Sequence, residues 1–475
     1  MTSAVVVGSG PNGLAAAVVL ADAGLEVTVL EAQDHLGGGA RSAELTLPGL
    51  VHDTCSGLHP LALDTRFSRR FGLDAHGLTW REAPVQYSHP LDDGRGAVAL
   101  RSVEETAQAL GGKGGRTWQR VFGSLAQRFD TIADEFLQPM LHVPRHPLHL
   151  ARFGSYAAQP AALLGRRWST PEARGLFAGV AAHAFRPLTA PVSSAIGVAL
   201  GTAAHRYGWV AAEGGSQAIA DALVAAGQER GVRYQTGFHV SSYRALDRPD
   251  LILLDTAPSA AADILGDLMP ARVARAYRRF RHGPGAFKVD FAVEGGVPWS
   301  HEPTRLASTV HVGGTLEEIA LAEKEVARGR MPDRPFILAG QQYVADPSRS
   351  VGGVHPFSAY AHVPAGYQGD ATEAMIAQIE RFAPGFRDRV LATAVTTTTE
   401  LSVRNDNYVG GDICTGANDA RQLVFRPRVA LDPYATGVPG AYLCSAATPP
   451  GAGAHGMCGY WAAQSALRHL ARSGR

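Results

Sequence analysis

The sequence predicts an α/β protein in which a parallel, nucleotide-binding sheet is assembled from separated stretches and an α+β unit is inserted between them. Three observations predict it. A β-branched run at residues 4–7 leads straight into a glycine turn; strict apolar alternation appears at residues 287–293; and a second glycine turn of the same G-x-G-x-x-G spacing stands close to the C-terminus.

Residues 4–7, without polar relief, read as a strand buried on both faces. Gly8 opens the turn, Gly10 clears space for a pyrophosphate against the backbone, and Gly13 lets the next helix pack close to the strand. Pro11 and Asn12 lie inside this turn and count with it as cofactor contacts. The helix "LAAAVVLADAG" ends at Gly24, a residue suited to the left-handed position after a helix, and "LEVTVLE" supplies the next strand. Glu31 closes that strand about 20 residues after the glycines, where a carboxylate takes the ribose hydroxyls of an adenosine. Ala32 follows it as a further contact.

The chain has 475 residues and 45% apolar composition, enough for two or three globular domains. Its 44 Lys and Arg against 43 Asp and Glu set up no global field for nucleic acid or an anionic membrane, so a charged partner has to be met by a local patch. Cys55, Cys414, Cys444 and Cys458 form neither a C-x-x-C pair nor a metal spacing with histidine. No metal is expected, and cytoplasmic residence fits best. The first strand leaves no room for a secretory signal before it. No apolar run reaches the ~18 residues of a spanning helix, so no transmembrane segment is expected and peripheral membrane contact is left open.

Residues 53–206 carry helical stretches punctuated by prolines and no repeat of the first unit. Alternating chemistry then resumes. "GGSQAIADALVAAGQERGVRYQTGFHVSSY" reads as a helix capped by Ser216 and ended by Gly231, with strands around Val232 and Val240, the latter placed at the cofactor. "DLILLDTAPSAAADIL" adds a buried strand feeding a helix. One nucleotide-binding domain is thus expected from residues 1–75, 207–265 and 400–475, and a substrate domain with a helical insertion from 76–206 and 266–399. In the latter, Phe287, Val289, Phe291 and Val293 alternate with Lys288, Asp290 and Ala292, giving a strand with one buried face in an antiparallel sheet. The threonine run 396–399 reads as an exposed strand edge.

Near the C-terminus, residues 441–445 form a strand, followed by Pro449, Pro450, Gly451, Gly453 and Gly456 and then a helix. No strand and no acid about 20 residues on follow to seat a ribose, so an independent NAD(P) site fails. The second loop must serve the cofactor held by the first. Its helix start offers free N–H groups and a positive partial charge, with Ala446, Gly453, Gly456 and Met457 as contacts.

The turn "EAQDHLGGGARS", with Gly38 and Arg41, resembles the extended fingerprint of the flavoproteins that include amine oxidases and phytoene desaturases. With "HRYGWVAAEGGSQAIADAL", "RNDNYVGGDICTG" and the C-terminal loop, the chain resembles the phytoene desaturase-like flavoproteins along its whole length, especially the branch called pyridine nucleotide-disulfide oxidoreductase domain-containing protein 2. The resemblance implies a Rossmann-type FAD-binding domain, FAD as cofactor and hydride removal from a C–C or C–N bond of a small organic substrate. Electrons would then pass to oxygen, a quinone or another carrier. Alkene reduction or isomerisation, and a carrier role like that of Rab GDP-dissociation inhibitors, are the alternatives. Relatives show H-P-G-G-G before the last helix; here Pro449 replaces the histidine and Ala452 the middle glycine, and the histidine reappears as His455. His455 and His59 are the candidate bases. His183 and Arg186 are candidates for the substrate space, while Tyr460 and Trp461 are expected in the core and Cys444 and Cys458 in buried packing. Arginines and histidines scattered between residues 60 and 210 favour a smaller and more soluble substrate than phytoene.

Overall fold

The computed structural model describes residues 2–472. Five parallel strands form one sheet in the order Ala441–Leu443, Leu251–Leu254, Ser3–Val7, Glu26–Leu30 and Arg233–Gln235. The sheet therefore draws its strands from both ends and the middle of the chain. Val6, Val29 and Leu253 are fully buried within it, as expected of parallel strands covered on both faces.

The first helix, Pro11–Asp22, opens with proline at its first turn and is followed at Gly24 by a left-handed residue with φ +86. It is buried along almost its whole length. Burial on that scale requires a second covering layer, which the last helix, Met457–Arg472, provides. Glycine is required where the two cross: a Cβ at Gly459 would stand 1.8 Å from the Asn12 carbonyl oxygen, and one at Gly456 2.9 Å from the Ala15 methyl.

A second sheet of seven strands runs in the order Val390–Thr396, Gly285–Glu294, Val354–Val363, Ile337–Gly340, Ala307–Val312, Val85–Pro90 and Gly96–Ala99. It is mixed rather than antiparallel throughout, because Ala307–Val312 and Val85–Pro90, far apart in sequence, lie parallel. Phe287, Val289, Phe291 and Val293 pack on Met375, Ile379 and Phe382 of the helix Thr372–Phe382. The opposite face of the strand was expected to be open to solvent, yet Lys288 and Asp290 are also buried. Helices between Val103 and Arg206 cover this sheet and bury Trp118, Phe122, Trp168 and Phe177.

Three local expectations change. Residues 236–250 contain no strand, so Val240 sits in irregular backbone beyond Arg233–Gln235, although it is buried. Ser216 precedes the helix Gln217–Glu229 without capping it; its hydroxyl hydrogen-bonds His59 Nε2 at 2.9 Å and the Ser56 carbonyl at 2.6 Å. The threonine run only begins in an edge strand: Thr396 ends it, Thr397 makes a capping box with Glu400, and Thr398 starts a helix.

Among the described residues no helix is long and apolar enough to cross a membrane. Replacing Gly459 with alanine forces a methyl onto the Asn12 carbonyl and is expected to lower unfolding stability by at least about 1–3 kcal/mol, read as an earlier midpoint in chemical denaturation.

Candidate active site

A cavity of about 690 Å³ lies where the two sheets and the helical insertion meet. Gly10, Asn12, Gly39 and Ala40 line it from the first glycine turns, and residues 449–455 from the last loop. Lys288, Ser358 and Tyr360 come from the mixed sheet, and Phe136, Met140, Leu150, Phe153, Ile196 and Leu200 form an apolar wall from the helices. Large apolar pockets with a few convergent polar groups are the usual form of a small-molecule site.

The N-terminal turn is shaped by close backbone approach. A Cβ at Gly8, where φ is +96, would meet the Asp255 carbonyl at 2.7 Å, and one at Gly13 would meet the Gly8 carbonyl at 2.2 Å. Gly38, at φ +56, lies so near Gly10 that a Cβ would come within 2.8 Å of its Cα. Gly39 leaves the space that the Tyr408 hydroxyl fills. Glu31 accepts from the Ser9 N–H at 2.9 Å, the Ser9 hydroxyl at 2.6 Å and the Gln33 N–H at 2.9 Å, which fixes the carboxylate at the strand end.

Of the residues expected at the cofactor, Gly10, Pro11, Asn12, Ala446 and Gly453 line the cavity. Gly8, Gly13, Gly38, Gly456 and Met457 stand behind the lining as its supports, and Glu31, Ala32 and Val240 lie outside it. Arg41 is also set back. Its Nη2 donates to the Arg404 carbonyl at 3.4 Å, while its Nε is buried without a partner among the described residues. The bare backbone offered by Gly10, Gly39, Gly451 and Gly453 from both loops forms a cradle that side chains would fill, and it fits a dinucleotide carrying a flat ring.

Both candidate histidines have a ring nitrogen engaged within the protein. His455 lines the cavity, but its Nδ1 accepts the Met457 N–H at 3.1 Å, so it caps the last helix; burial pushes its pKa down to about 4. His59 does not line the cavity. It is buried against Ser216, and burial again pushes its pKa down to about 4. His183 does reach the lining and shares a hydrogen bond of 3.0 Å with His311 Nε2, whereas Arg186 reaches the Asn418 carbonyl at 2.6 Å. Cys444 and Cys458 are buried, and burial raises both thiols, the latter to about 12. Trp461 donates to the Leu137 carbonyl at 2.9 Å and packs with Tyr460 against the core.

The sequence reading missed the polar wall. Lys288 pairs with Asp290 two residues on along the same strand face, and Ser358 donates to Asp290 at 2.6 Å from the neighbouring strand. His52 Nδ1 stands 3.3 Å from the same carboxylate. Burial acts to raise the Asp290 pKa, but Lys288 and His52 hold it below the usual carboxylate range. The signal was present in the alternation itself, since a lysine and an aspartate on one face of a long strand need only a buried partner to become a site.

Asp255 was missed too. It follows the strand Leu251–Leu254, lines the cavity and accepts the Gly13 N–H at 3.0 Å. Burial raises its pKa to about 7 against the lowering effect of the glycine N–H groups.

Residues 6–64 match the NAD(P)-binding Rossmann-like domain family. The chain is 32% identical to hydroxyneurosporene desaturase of Cereibacter sphaeroides over a stretch that covers 50% of each protein. It is a relative of that desaturase. It is also 25% identical to pyridine nucleotide-disulfide oxidoreductase domain-containing protein 2 of Mus musculus, across 98% of this chain and 93% of that one. Putrescine oxidase bound to putrescine superposes over 99% of both chains with a TM-score of 0.60 at 16% identity, a likeness of fold. The expected family, the α/β fold class with its Rossmann-type unit and the oxidoreductase character agree with these relatives.

Between the ordinary aspartate value and about 7, the folded chain holds on Asp255 a proton that the unfolded chain has released. The contribution of this group to stability therefore falls as pH rises through that window. Cofactor-free Asp255→Asn is expected to be more stable than the parent above neutrality, by a few kcal/mol in order of magnitude, with the gap closing toward about pH 4. Thermal unfolding followed across that range checks the sign; a gap independent of pH would show that Asp255 is ionised throughout.

Proposed function

We propose that the protein is an FAD-dependent oxidoreductase that removes two hydrogens from a C–C or C–N bond of an apolar organic substrate. One observation carries this reading: glycine loops from opposite ends of the chain line a single cavity whose helical wall is apolar. The residues proposed to hold FAD are Gly8, Gly10, Pro11, Asn12, Gly13, Glu31, Ala32, Gly38 and Arg41 at the dinucleotide, and Ala446, Gly453, Gly456 and Met457 at the ring. Val240, remote from the lining, is retained only as packing in the cluster that holds Val7 and Leu30. Residues 1–75, 207–265 and 400–475 are proposed as the cofactor domain, and 76–206 with 266–399 as the substrate domain.

When bound, FAD supplies the acceptor for a hydride at N5. The chain supplies the rest. Residues 451–453 present backbone in place of side chains, and the N-terminus of Met457–Arg472 directs a positive partial charge to the loop where negative charge is gained. Lys288, anchored by Asp290, is the group proposed to hold a water or a polar substrate atom on the wall opposite the apolar helices. His455 is proposed as a structural cap and His59 as a structural partner of Ser216, in place of the general-base roles the sequence suggested.

The scattered cations give no support to a smaller and more soluble substrate than phytoene. Arg69 pairs with Asp134, Arg70 with Asp22, Arg81 with Glu213 and Arg206 with Asp130, all at partly exposed positions, while His205 accepts from the Trp118 indole. The side chains that do meet the cavity from this region are mainly phenylalanine, leucine, methionine and alanine.

The purified protein is expected to absorb in the near ultraviolet and blue, and anaerobic mixing with polyenes, cyclic amines and amino-acid-derived compounds identifies the donor by rapid bleaching. Colourless protein that ignores added flavin would end this reading. Lys288→Met is expected to keep the chromophore while slowing bleaching by about 10²-fold or more. Equal rates would remove Lys288 from the chemistry.

A further inference from the structure

Arg426 is 1% exposed and lines the cavity beside the last glycine loop. A guanidinium stays charged at physiological pH, and a buried charge is costly unless an opposite charge and hydrogen bonds offset it. Arg426 makes no ion pair among the described residues. Its Nε donates to the Gln422 carbonyl at 3.1 Å, Nη1 to the Ala446 carbonyl at 3.1 Å and Nη2 to the Asn418 amide oxygen at 3.4 Å. Three of the five N–H groups are thus used, and one on each terminal nitrogen is left over. All three acceptors are neutral, and burial lowers the pKa of the group accordingly.

The acids of the same segment are already occupied. Asp412 accepts the Gly283, Cys414 and Gly416 N–H groups at 2.7, 2.9 and 2.7 Å, and Asp419 pairs with Arg281 while capping the helix Ala420–Val424. A second cation converges from the helical insertion. Arg186, half-buried and also without an ion pair among the described residues, donates to the Asn418 carbonyl, and Asn418 Nδ2 donates to the Ala184 carbonyl at 3.2 Å. Phe185 and Thr415, on the two segments joined by this clamp, hold left-handed backbone at φ +51 and +53, and both line the cavity. Residues other than glycine keep that conformation only where the surroundings impose it, and such positions cluster around ligands. Gly451 completes the pocket, because a Cβ there would stand 2.6 Å from Arg426 Nη1. The neighbouring side chains on the lining, Phe185, Ile413, Leu423 and Val424, are apolar.

We propose that Arg426, set in place by Asn418, holds the carboxylate of an otherwise apolar organic acid, so that the substrate is an acid and not a hydrocarbon or an alcohol. A carboxylate accepts two N–H groups from one arginine and supplies the missing charge, while the apolar wall takes the rest of the molecule. This deepens the oxidoreductase reading and rests on it for the reaction alone, since binding of the acid needs no bound flavin.

Calorimetric titration of the full-length protein with octanoate and with octanol tests it. Octanoate is expected to bind at least about tenfold more tightly than octanol. Arg426→Gln, which keeps amide donors for the surrounding carbonyls, is expected to bind the two alike, and Arg426→Lys to keep part of the preference. Should Arg426→Gln fail to fold, as judged by circular dichroism, the parent's own preference and Arg426→Lys decide. Octanoate bound no more tightly than octanol by the parent, or a folded Arg426→Gln with the parent's preference, would overturn the proposal. So would a parent without preference whose bound flavin becomes harder to reduce in Arg426→Gln, since the cation would then serve the ring. Preference for octanoate in colourless protein that ignores added flavin would keep the acid site and end the oxidoreductase reading; yellow protein without that preference would do the reverse.

Discussion

The contact on which the site depends is the crossing of the first and last helices. Gly459 lets the last helix approach until its backbone lies against the Asn12 carbonyl, and Gly456 does the same one turn earlier at Ala15. Only this approach brings the loop at 451–456 beside the loop at 8–13, because nothing local in sequence joins them. The parallel sheet repeats the constraint in another form, pairing Leu254 with both Val7 and Leu443. The two glycine loops then become one site by topology rather than by motif, and that topology explains why the chain needs two.

Around this junction the cavity divides chemically. Its helical wall offers no charge, and its sheet wall carries a lysine, an aspartate and a serine bonded to one another. Taking an ammonium and a carboxylate out of water is costly, and mutual attraction offsets the cost only when the remaining hydrogen-bonding capacity is met. Ser358 and His52 meet it for Asp290. Apolar residues at 288 and 290 would have been the simpler way to fill a sheet interior, so the retained charges point to a purpose in the cavity. A second buried pair, Arg349 with Asp53 at 2.7 Å, has no such exposure to the lining on its cationic side and joins the short strand His52–Asp53 to the turn Pro347–Arg349 ahead of the strand Val354–Val363.

Sequence legibility followed how local the determining forces are. The turn at Gly8, Gly10 and Gly13, the left-handed Gly24 and the acid at Glu31 are fixed by backbone sterics over some twenty residues, and they were readable. The arrest of the strand at Gln235 and the turning of Ser216 toward His59 depend on partners distant in sequence, and they were not. Lys288 and Asp290 illustrate the same limit. Period two located their shared face correctly, but whether that face meets water or a cavity is decided by helices more than a hundred residues away. The candidate histidines show a related limit, since position near a loop does not show that the Met457 N–H and the Ser216 hydroxyl each engage one of their ring nitrogens.

Burial also decides which groups can move protons. The histidines at 59, 183 and 455 are all held neutral because a charged imidazole in these apolar surroundings would lack solvation. The tyrosines at 360 and 408 are raised for the complementary reason, a phenolate being as poorly solvated there. Asp255 is shifted toward neutrality by its burial even though it accepts the Gly13 N–H. Besides Asp255, the acidic and basic side chains on the lining are then Asp53, paired with Arg349, Lys288, paired with Asp290 behind it, and Arg426. A site with so few ionised groups orients and desolvates its contents more than it transfers protons to them, which suits a reaction whose electrons leave through a bound cofactor and whose substrate is itself apolar.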